Sequence, residues 1–355
     1  MEILEHMETF GHEQLNVYSD KAAGLRAFIA IHDTTLGPAL GGTRIWPHVS
    51  EEAAMTDVLR LSRAMTYKQA AAGLDLGGGK GIIIANSTTD KTEALLRAYG
   101  RFVETLGGRY VTTEDVGSTP QDMEWIVQET KHVTGLAPSR GGSGDPSEMT
   151  GFGVLRGMKA CAKEIWGAES LEGKVIAIQG FGKVAGYLSQ HLLDEGAKLV
   201  VTDINAKALE RAEDLEVSIV EDSEMIYDVE CDIFSPCALG GTLNGETVTR
   251  LRGKAVVGAA NNQLLELKDA ETLQKRGILY APDYIVNAGG VINISCEIGQ
   301  AYDQRTATEK TSRIYETMER VIHASKEEGI TTALAANHIA EERIRRLRGI
   351  RRILL

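Results

Sequence analysis

Two lysines stand in one glycine-rich part of the chain, Lys68 in the run TYK and Lys80 in GLDLGGGKG. Gly79, Gly81 and the apolar run 81–85 surround Lys80, so no neighbouring side chain lifts it toward water. A lysine held there beside a second cation gives up its proton more readily and can serve as a base or an electrostatic catalyst. The stretch is not a phosphate-binding P-loop. That motif needs glycine at position 74, where Leu74 stands, and a hydroxyl at 81, where Gly81 stands. Gly77, Gly78 and Gly79 ahead of the apolar run instead point to close approach of backbone to a ligand. Asp115 follows RYVTT (109–113), a strand end of the kind where catalytic groups gather in α/β domains. The plainer reading of Asp115 is a turn or helix-cap aspartate. Gly41 and Gly42 follow an apolar turn, Gly37-Pro38-Ala39-Leu40, and offer backbone N–H groups to a carboxylate.

A second constellation is Gly180-Phe181-Gly182-Lys183-Val184-Ala185, the pattern G-x-G-x-x-A between a strand-like KVIAIQ and a helix. The first glycine permits the tight turn and the second lets backbone approach a pyrophosphate. The small third residue lets helix and strand pack closely. The helix N-terminus then faces the phosphates. Asp203 ends the next strand, 203 − 180 = 23 residues later, where a carboxylate bonds ribose hydroxyls. It would repel a 2′-phosphate, and no arginine directly follows it. The cofactor expected is NAD rather than NADP. The alternative is a turn that binds no nucleotide.

These residues need a scaffold, and the hydrophobic pattern supplies one. Strands are predicted at 25–36, 81–85 and 109–113, and helices at 51–65, capped by Ser50, at 91–106 and at 120–130 behind Pro120. The run SRGGSGDP (139–146) is the best candidate hinge. Beyond it a helix is predicted near 149–165. Strands at 174–179 and 198–202 then alternate with helices at 183–195 and 205–212, and short strands follow near 232–234, 255–258 and 278–280. Residues 306–327 and 331–348 read as long helices. Such alternation is the pattern of a doubly wound parallel sheet. The expected fold is therefore α/β with two domains. One is an N-terminal α/β substrate-binding and oligomerisation domain (1–135), the other a Rossmann-type doubly wound NAD-binding domain (140–330), with an active-site cleft between. The C-terminal helix, 331–355, is expected to rejoin the first.

Composition narrows the classes. The 355 residues, 43% of them hydrophobic, are enough for a sizeable core and more than one domain. The 38 glycines have no G-X-Y period and only 7 prolines beside them, which excludes a collagen-like chain. A net charge of −12 argues against a nucleic-acid coat or an anionic-membrane binder. The basic run Arg343-Ile344-Arg345-Arg346-Leu347-Arg348 reads as a solvated helix face or an inter-subunit contact rather than a nucleic-acid site. Four cysteines without C-x-x-C spacing, and no H-E-x-x-H, point to reduced thiols and no metal. Met1 to Gln14 has no apolar core of a secretory leader, and no apolar run approaches ~18 residues, so a soluble cytoplasmic protein is expected.

GPALGGTR (37–44), TYK (66–68), GLDLGGGKG (73–81), TTEDVG (112–117), SPCALGG (235–241), GAANNQ (258–263) and APDYIVNAGGVIN (281–293) together carry a resemblance. In order and spacing they are similar to the glutamate/leucine/phenylalanine/valine family of amino-acid dehydrogenases, nearest its leucine and valine members. The resemblance runs from the N-terminus to about residue 345. It implies reversible oxidative deamination of a branched-chain L-amino acid to a 2-oxo acid, ammonia and NADH, in a homo-oligomer that is an octamer, hexamer or dimer. Lys80 would activate water and Asp115 would shuttle protons at the substrate nitrogen. Lys68 would bind the substrate carboxylate with Gly41, Gly42 and Asn262. Ser147, Thr150, Gly186, Ala238 and Asn261 would join the dinucleotide motif around the cofactor. Glutamate-specific members carry a lysine where Leu40 stands and a hydroxyl residue where Ile294 stands. Leu40, Met65, Val291 and Ile294 would form an apolar pocket, narrowed by Thr113. That favours leucine, valine and isoleucine, since a second carboxylate would be buried without a partner. The alternatives are a phenylalanine or broad-range dehydrogenase and an NAD-binding sensor without turnover. The sensor would have no use for Lys68, Lys80 and Asp115.

Overall fold

The computed structural model describes residues 2–351; positions 352–355 of the expected C-terminal helix lie outside the described residues. The chain divides into two compact units. One gathers the chain up to Asp145, Ile294–Gln304 and the chain from Ala340 on; the other holds Pro146–Asn293 and Arg305–Ile339.

The first unit is built on a mixed sheet of β1 (Gln14–Asp20), β2 (Leu25–Asp33), β3 (Ala39–Ile45), β4 (Gly77–Ile83) and β5 (Tyr110–Glu114), in the order β1-β2-β4-β3-β5. β2 is antiparallel to β1 and β4, while β3 runs parallel to both β4 and β5. Alternate residues of β2 feed two cores. Ile29 and Ile31 meet Leu95, Tyr99 and Phe102 of helix Glu93–Glu104 on one face. Phe28 and Ala30 meet Val58 and Leu59 of helix Glu51–Ala71 on the other. Ser50 Oγ caps the latter helix by accepting from Ala53 N–H, as its sequence position requires.

Three local expectations fail here, for one reason. Residues 37–40 are not simply a turn, because Ala39 and Leu40 already belong to β3. β4 begins at Gly77 rather than at 81, so the glycine run is strand. The helix predicted at 51–65 continues to Ala71 and carries Lys68. The space beside the β4 glycines is filled by the protein itself. A Cβ on Gly78 would lie 2.1 Å from Thr66 Oγ1 of that helix, one on Gly79 2.7 Å from the Tyr110 ring, and one on Gly81 2.0 Å from Tyr99 OH. Glycine is unfavourable in a strand taken alone, but here it lets a long helix and two tyrosine rings lie directly on the sheet.

The second unit carries a parallel sheet of β6 (Val175–Gln179), β7 (Lys198–Thr202), β8 (Ser218–Ile219), β9 (Ile233–Pro236), β10 (Ala255–Val256) and β11 (Leu279–Tyr280). Its order is β11-β10-β9-β6-β7-β8, every pair parallel. The chain starts in the middle, winds to one edge and then to the other. This is the doubly wound order, with its switch point at the end of β6. The predicted helix 306–327 is two, Gln304–Ser312 and Ile314–Glu328, with Ser312 Oγ turned back on the Glu309 carbonyl at the break. The helix predicted at 120–130 ends at Ile126.

Helix Thr332–Arg351 places its last turns in the first unit. Arg343 donates there to the carbonyls of Ala70, Gly73 and Leu74 and pairs with Asp75 Oδ1 at 2.7 Å, closing the C-terminus of helix Glu51–Ala71. Arg348 meets Asp33 Oδ2 at 2.5 Å. These two arginines of the basic run are thus engaged within the fold. Among the described residues no helix is long and apolar enough to cross a membrane.

Candidate active site

β3 lies between β4 and β5, and charged groups meet across it. Lys80, in the middle of β4 and only 5% exposed, reaches Asp115 just past the end of β5, with Nζ 2.9 Å from Oδ1. The pair sits against Gly42 of β3, where a Cβ would be 2.7 Å from Asp115 Cβ and 2.4 Å from the Glu114 carbonyl oxygen. Any other residue at 42 would push Asp115 away. Arg44 of β3 donates from Nε to Asp115 Oδ2 at 2.9 Å. The Asp115 N–H donates to Ser118 Oγ at 2.8 Å, and that hydroxyl donates back to the Asp115 carbonyl at 3.0 Å. Burial works against charge on Asp115. Lys80 and then Arg44 outweigh it, so the carboxyl is held below its ordinary range. The result is a carboxylate bound by two cations, one of them a buried lysine.

The backbone beside this pair is fixed by side chains that the sequence reading left unassigned. Tyr110 OH donates to the Gly41 carbonyl at 2.6 Å, and Gln69 Nε2 donates to the Leu40 carbonyl at 2.8 Å. Burial pushes the Tyr110 phenol up to about 12, so it remains a neutral donor. Thr43 Oγ1 donates to Tyr99 OH at 2.9 Å and lies 2.5 Å from Thr112 Oγ1. Both peptides flanking Gly41 are therefore locked in orientation. A Cβ on Gly41 itself would fall 1.7 Å from the Gly79 carbonyl oxygen.

Lys68 and Met65 stand three residues apart on helix Glu51–Ala71, on one face and half-buried. Leu40 in β3 is fully buried, and Thr113 in β5 and Ile294 nearly so; all belong to the first unit. Val291, also buried, and Asn262 belong to the second. The contacts thus join Lys80, Asp115 and Gly42 directly; of the other substrate candidates, Leu40 and Gly41 share β3 with Gly42, Met65 and Lys68 share helix Glu51–Ala71, and Val291 and Ile294 share helix Gly289–Ser295.

In the second unit Gly180 turns at the end of β6 with φ +90°, and a Cβ there would be 2.7 Å from Ala238 Cβ. Helix Lys183–Asp194 starts behind Gly182 with no side chain capping it. A Cβ on Gly182 or Gly186 would meet nothing within 4 Å, whereas Ala185 is packed away. Phe181 is buried, Val184 half-buried and Lys183 exposed. Asp203 accepts from Phe181 N–H at 2.6 Å (Oδ2) and from Asn205 N–H at 2.7 Å (Oδ1). A carboxylate has further lone pairs, so it can still accept from a diol. An open helix N-terminus with bare glycines and an acid one strand away fits a dinucleotide. Arg211 Nη2, not anticipated, donates to the Phe181 carbonyl at 3.0 Å and steadies this turn.

Ser147 opens helix Ser147–Trp166, and Thr150 Oγ1 donates to the Pro146 carbonyl at 2.8 Å. A Cβ on Gly290 would lie 2.6 Å from that hydroxyl. Asn261 Oδ1 accepts from Asn287 Nδ2 at 2.8 Å. Asn262 holds a left-handed φ of +53°, and its N–H donates to Asp283 Oδ2 at 2.5 Å. Asp283 and Asn287 stand inside the motif 281–293, and Arg44 closes the motif 37–44. Their signal was present, but nothing local said which side chain they would reach.

Comparison with known proteins gives the family. The family model described as Glu/Leu/Phe/Val dehydrogenase, dimerisation domain, matches residues 10–132. The model described as Glutamate/Leucine/Phenylalanine/Valine dehydrogenase matches 141–207 and 202–350. The chain belongs to this family. It is an amino-acid dehydrogenase, and the chemistry of the family calls for a nicotinamide dinucleotide and a small-molecule substrate. Among amino-acid dehydrogenases, a leucine dehydrogenase of Bacillus cereus is 54% identical over 99% of this chain and 96% of its own. A valine dehydrogenase of Streptomyces virginiae is 48% identical over 96% of each chain. Among solved structures, L-tryptophan dehydrogenase from Nostoc punctiforme superposes with a TM-score of 0.85 at 45% identity, covering 97% of this chain and 99% of that one.

Proposed function

We propose that this dehydrogenase catalyses the reversible NAD-dependent oxidative deamination of leucine, valine and isoleucine to 2-oxo acids and ammonia. The observation that carries the reading is the ion pair of buried Lys80 with half-buried Asp115, closed over a glycine of β3 in a chain half identical to leucine dehydrogenases. Gly180, Gly182 and Asp203 would hold the NAD, which when bound would supply the acceptor for the Cα hydride. Asp115 receives a proton from the substrate nitrogen and later returns one to the departing ammonia. Lys80, in its neutral form, takes the proton of the water that attacks the imino carbon. Lys68 pairs with the substrate carboxylate, and the N–H groups of Gly41 and Gly42 with Asn262 fix its orientation. The balance is amino acid, NAD⁺ and water to 2-oxo acid, ammonium, NADH and one proton.

We assign the substrate side chain to Leu40, Met65, Thr113, Val291 and Ile294. None carries a positive charge to pair a second carboxylate, so glutamate should be a poor substrate. In a panel of branched-chain, aromatic and acidic amino acids, kcat/KM for phenylalanine is expected at least ~10-fold below that for leucine. Equal values would replace this reading with that of a broad-range or aromatic enzyme. For the cofactor, Asp203→Ala should lower the NAD to NADP ratio of kcat/KM by about tenfold or more, since it removes both a ribose acceptor and a charge that repels a 2′-phosphate. An unchanged ratio removes Asp203 from ribose recognition. The match of residues 10–132 to a dimerisation domain supports a homo-oligomer, which sedimentation would size. We place the enzyme in the cytoplasm; its four free thiols suit a reducing compartment.

A further inference from the structure

Arg44 is placed where it can decide how the Lys80–Asp115 pair holds its proton. Its guanidinium forks between two carboxylates, Nε to Asp115 Oδ2 and Nη1 to Asp57 Oδ2, each at 2.9 Å. Asp57 lies on helix Glu51–Ala71, which packs on the sheet, so this second bond ties the guanidinium to an element other than its own. Asp57 is held in turn by Arg60 Nη2 at 2.9 Å on its Oδ1, and His48 Nε2 lies 3.7 Å from its Oδ2. Asp115 thus presents one oxygen to a fixed cation and the other to Lys80.

We propose that Arg44 is a positioning residue for the reaction: anchored on Asp57, it pins Asp115 Oδ2 so that Oδ1 faces Lys80. The inference rests on the dehydrogenase chemistry given to the pair above.

The charges around the carboxylate support this. Lys80 comes from β4, Arg44 from β3, and the neutral Tyr110 phenol from β5; Asp57, Arg60 and His48 lie behind Arg44. Burial opposes ionisation of Asp115, Lys80 favours it most and Arg44 next. While Lys80 is neutral and able to take the proton of water, Arg44 is the cation that remains bonded to Asp115. Without it the half-buried carboxylate would hold a proton and could not collect another from the substrate nitrogen. Arginine suits the task because it cannot itself deprotonate and because its planar fork bonds two acids at once.

The test is the pH dependence of leucine deamination in the intact enzyme carrying Arg44→Gln or Arg44→Lys. The acid limb of kcat/KM belongs to the pair. Loss of a fixed positive charge strengthens proton binding by the pair, so Arg44→Gln should move that limb to higher pH by about one unit or more. It should also lower kcat near neutrality about tenfold or more, with KM for NAD unchanged. Arg44→Lys keeps the charge and loses the fork, so its limb should stay near the wild-type position while kcat falls. A folded Arg44→Gln enzyme with an unmoved limb overturns the proposal, because a merely structural arginine would cost stability and rate at every pH. If Arg44→Gln does not fold, Arg44→Lys decides, and a wild-type kcat there overturns the positioning role. Failure of the wild-type enzyme on the amino-acid panel would instead overturn the reading on which the proposal rests.

Discussion

Lys80→Ala is expected to lower kcat for leucine deamination by ~10³-fold or more while NADH still binds with unchanged affinity. The lysine is the buried member of the pair, and its Nζ is 2.9 Å from Asp115. Alanine removes the base and also one of the two cations that keep Asp115 ionised, so both proton-handling groups are damaged at once. The dinucleotide motif stands on β6 of the other unit, and NADH fluorescence titration should not register the change. Lys80→Arg separates chemistry from packing. A guanidinium can restore the ion pair but cannot act as a base, so kcat should remain low while thermal stability returns. Turnover within tenfold of wild type in either variant would remove Lys80 from the mechanism.

The second large effect comes from a residue with no side chain. Gly41→Ala would place a Cβ 1.7 Å from the Gly79 carbonyl oxygen and 2.6 Å from its carbon, both backbone atoms of the adjacent strand β4. Neither can rotate aside. Relief requires β3 and β4 to separate, which breaks their ladder and carries Lys80, the residue after Gly79, out of line with Asp115. We expect a loss of about 3 kcal/mol or more of stability, in the range of overpacked cores, or failure to fold. Any soluble fraction should lose activity as well. Gly245→Ala, where a Cβ meets nothing within 4 Å, is the control and should leave the melting temperature unchanged. A Gly41→Ala protein as stable as this control would show that the strands have more room than the described packing allows.

Local chemistry was readable where it depends on neighbours along the chain. The motif Gly180–Ala185 with Asp203 announced a strand, a turn and a helix, because the φ of +90° at Gly180 and the open helix start are properties of adjacent residues. Ser50 caps its helix through its own next turn, as its position required; Thr92 and Thr119 do the same for theirs and were not anticipated. The glycines of β3 and β4 were harder. Read along the chain they suggest a loop that hugs a ligand. In the structure Gly41, Gly78, Gly79 and Gly81 make room for a neighbouring strand, a helix and two tyrosine rings, while Gly182 and Gly186 face open space. Composition cannot distinguish these roles, since both need a missing Cβ and only the identity of the intruding atom differs. β1 gave no strong alternation, being an edge strand with a half-exposed face, and was not anticipated.

The sequence by itself determined the inventory: a lysine among glycines, an aspartate at a strand end, a dinucleotide turn, and an acidic chain with little to offer nucleic acid. Tertiary structure decided which of these meet. Lys80 on β4 and Asp115 just past β5 belong to strands that are not neighbours, and they touch because strand order sets β3 between them and residue 42 has no side chain to hold them apart. Arg44 joins them because β3 is that intervening strand and Asp57 waits on the helix above it. Contacts of this kind depend on the order in which strands pair, a global property of the folded sheet that no local spacing encodes.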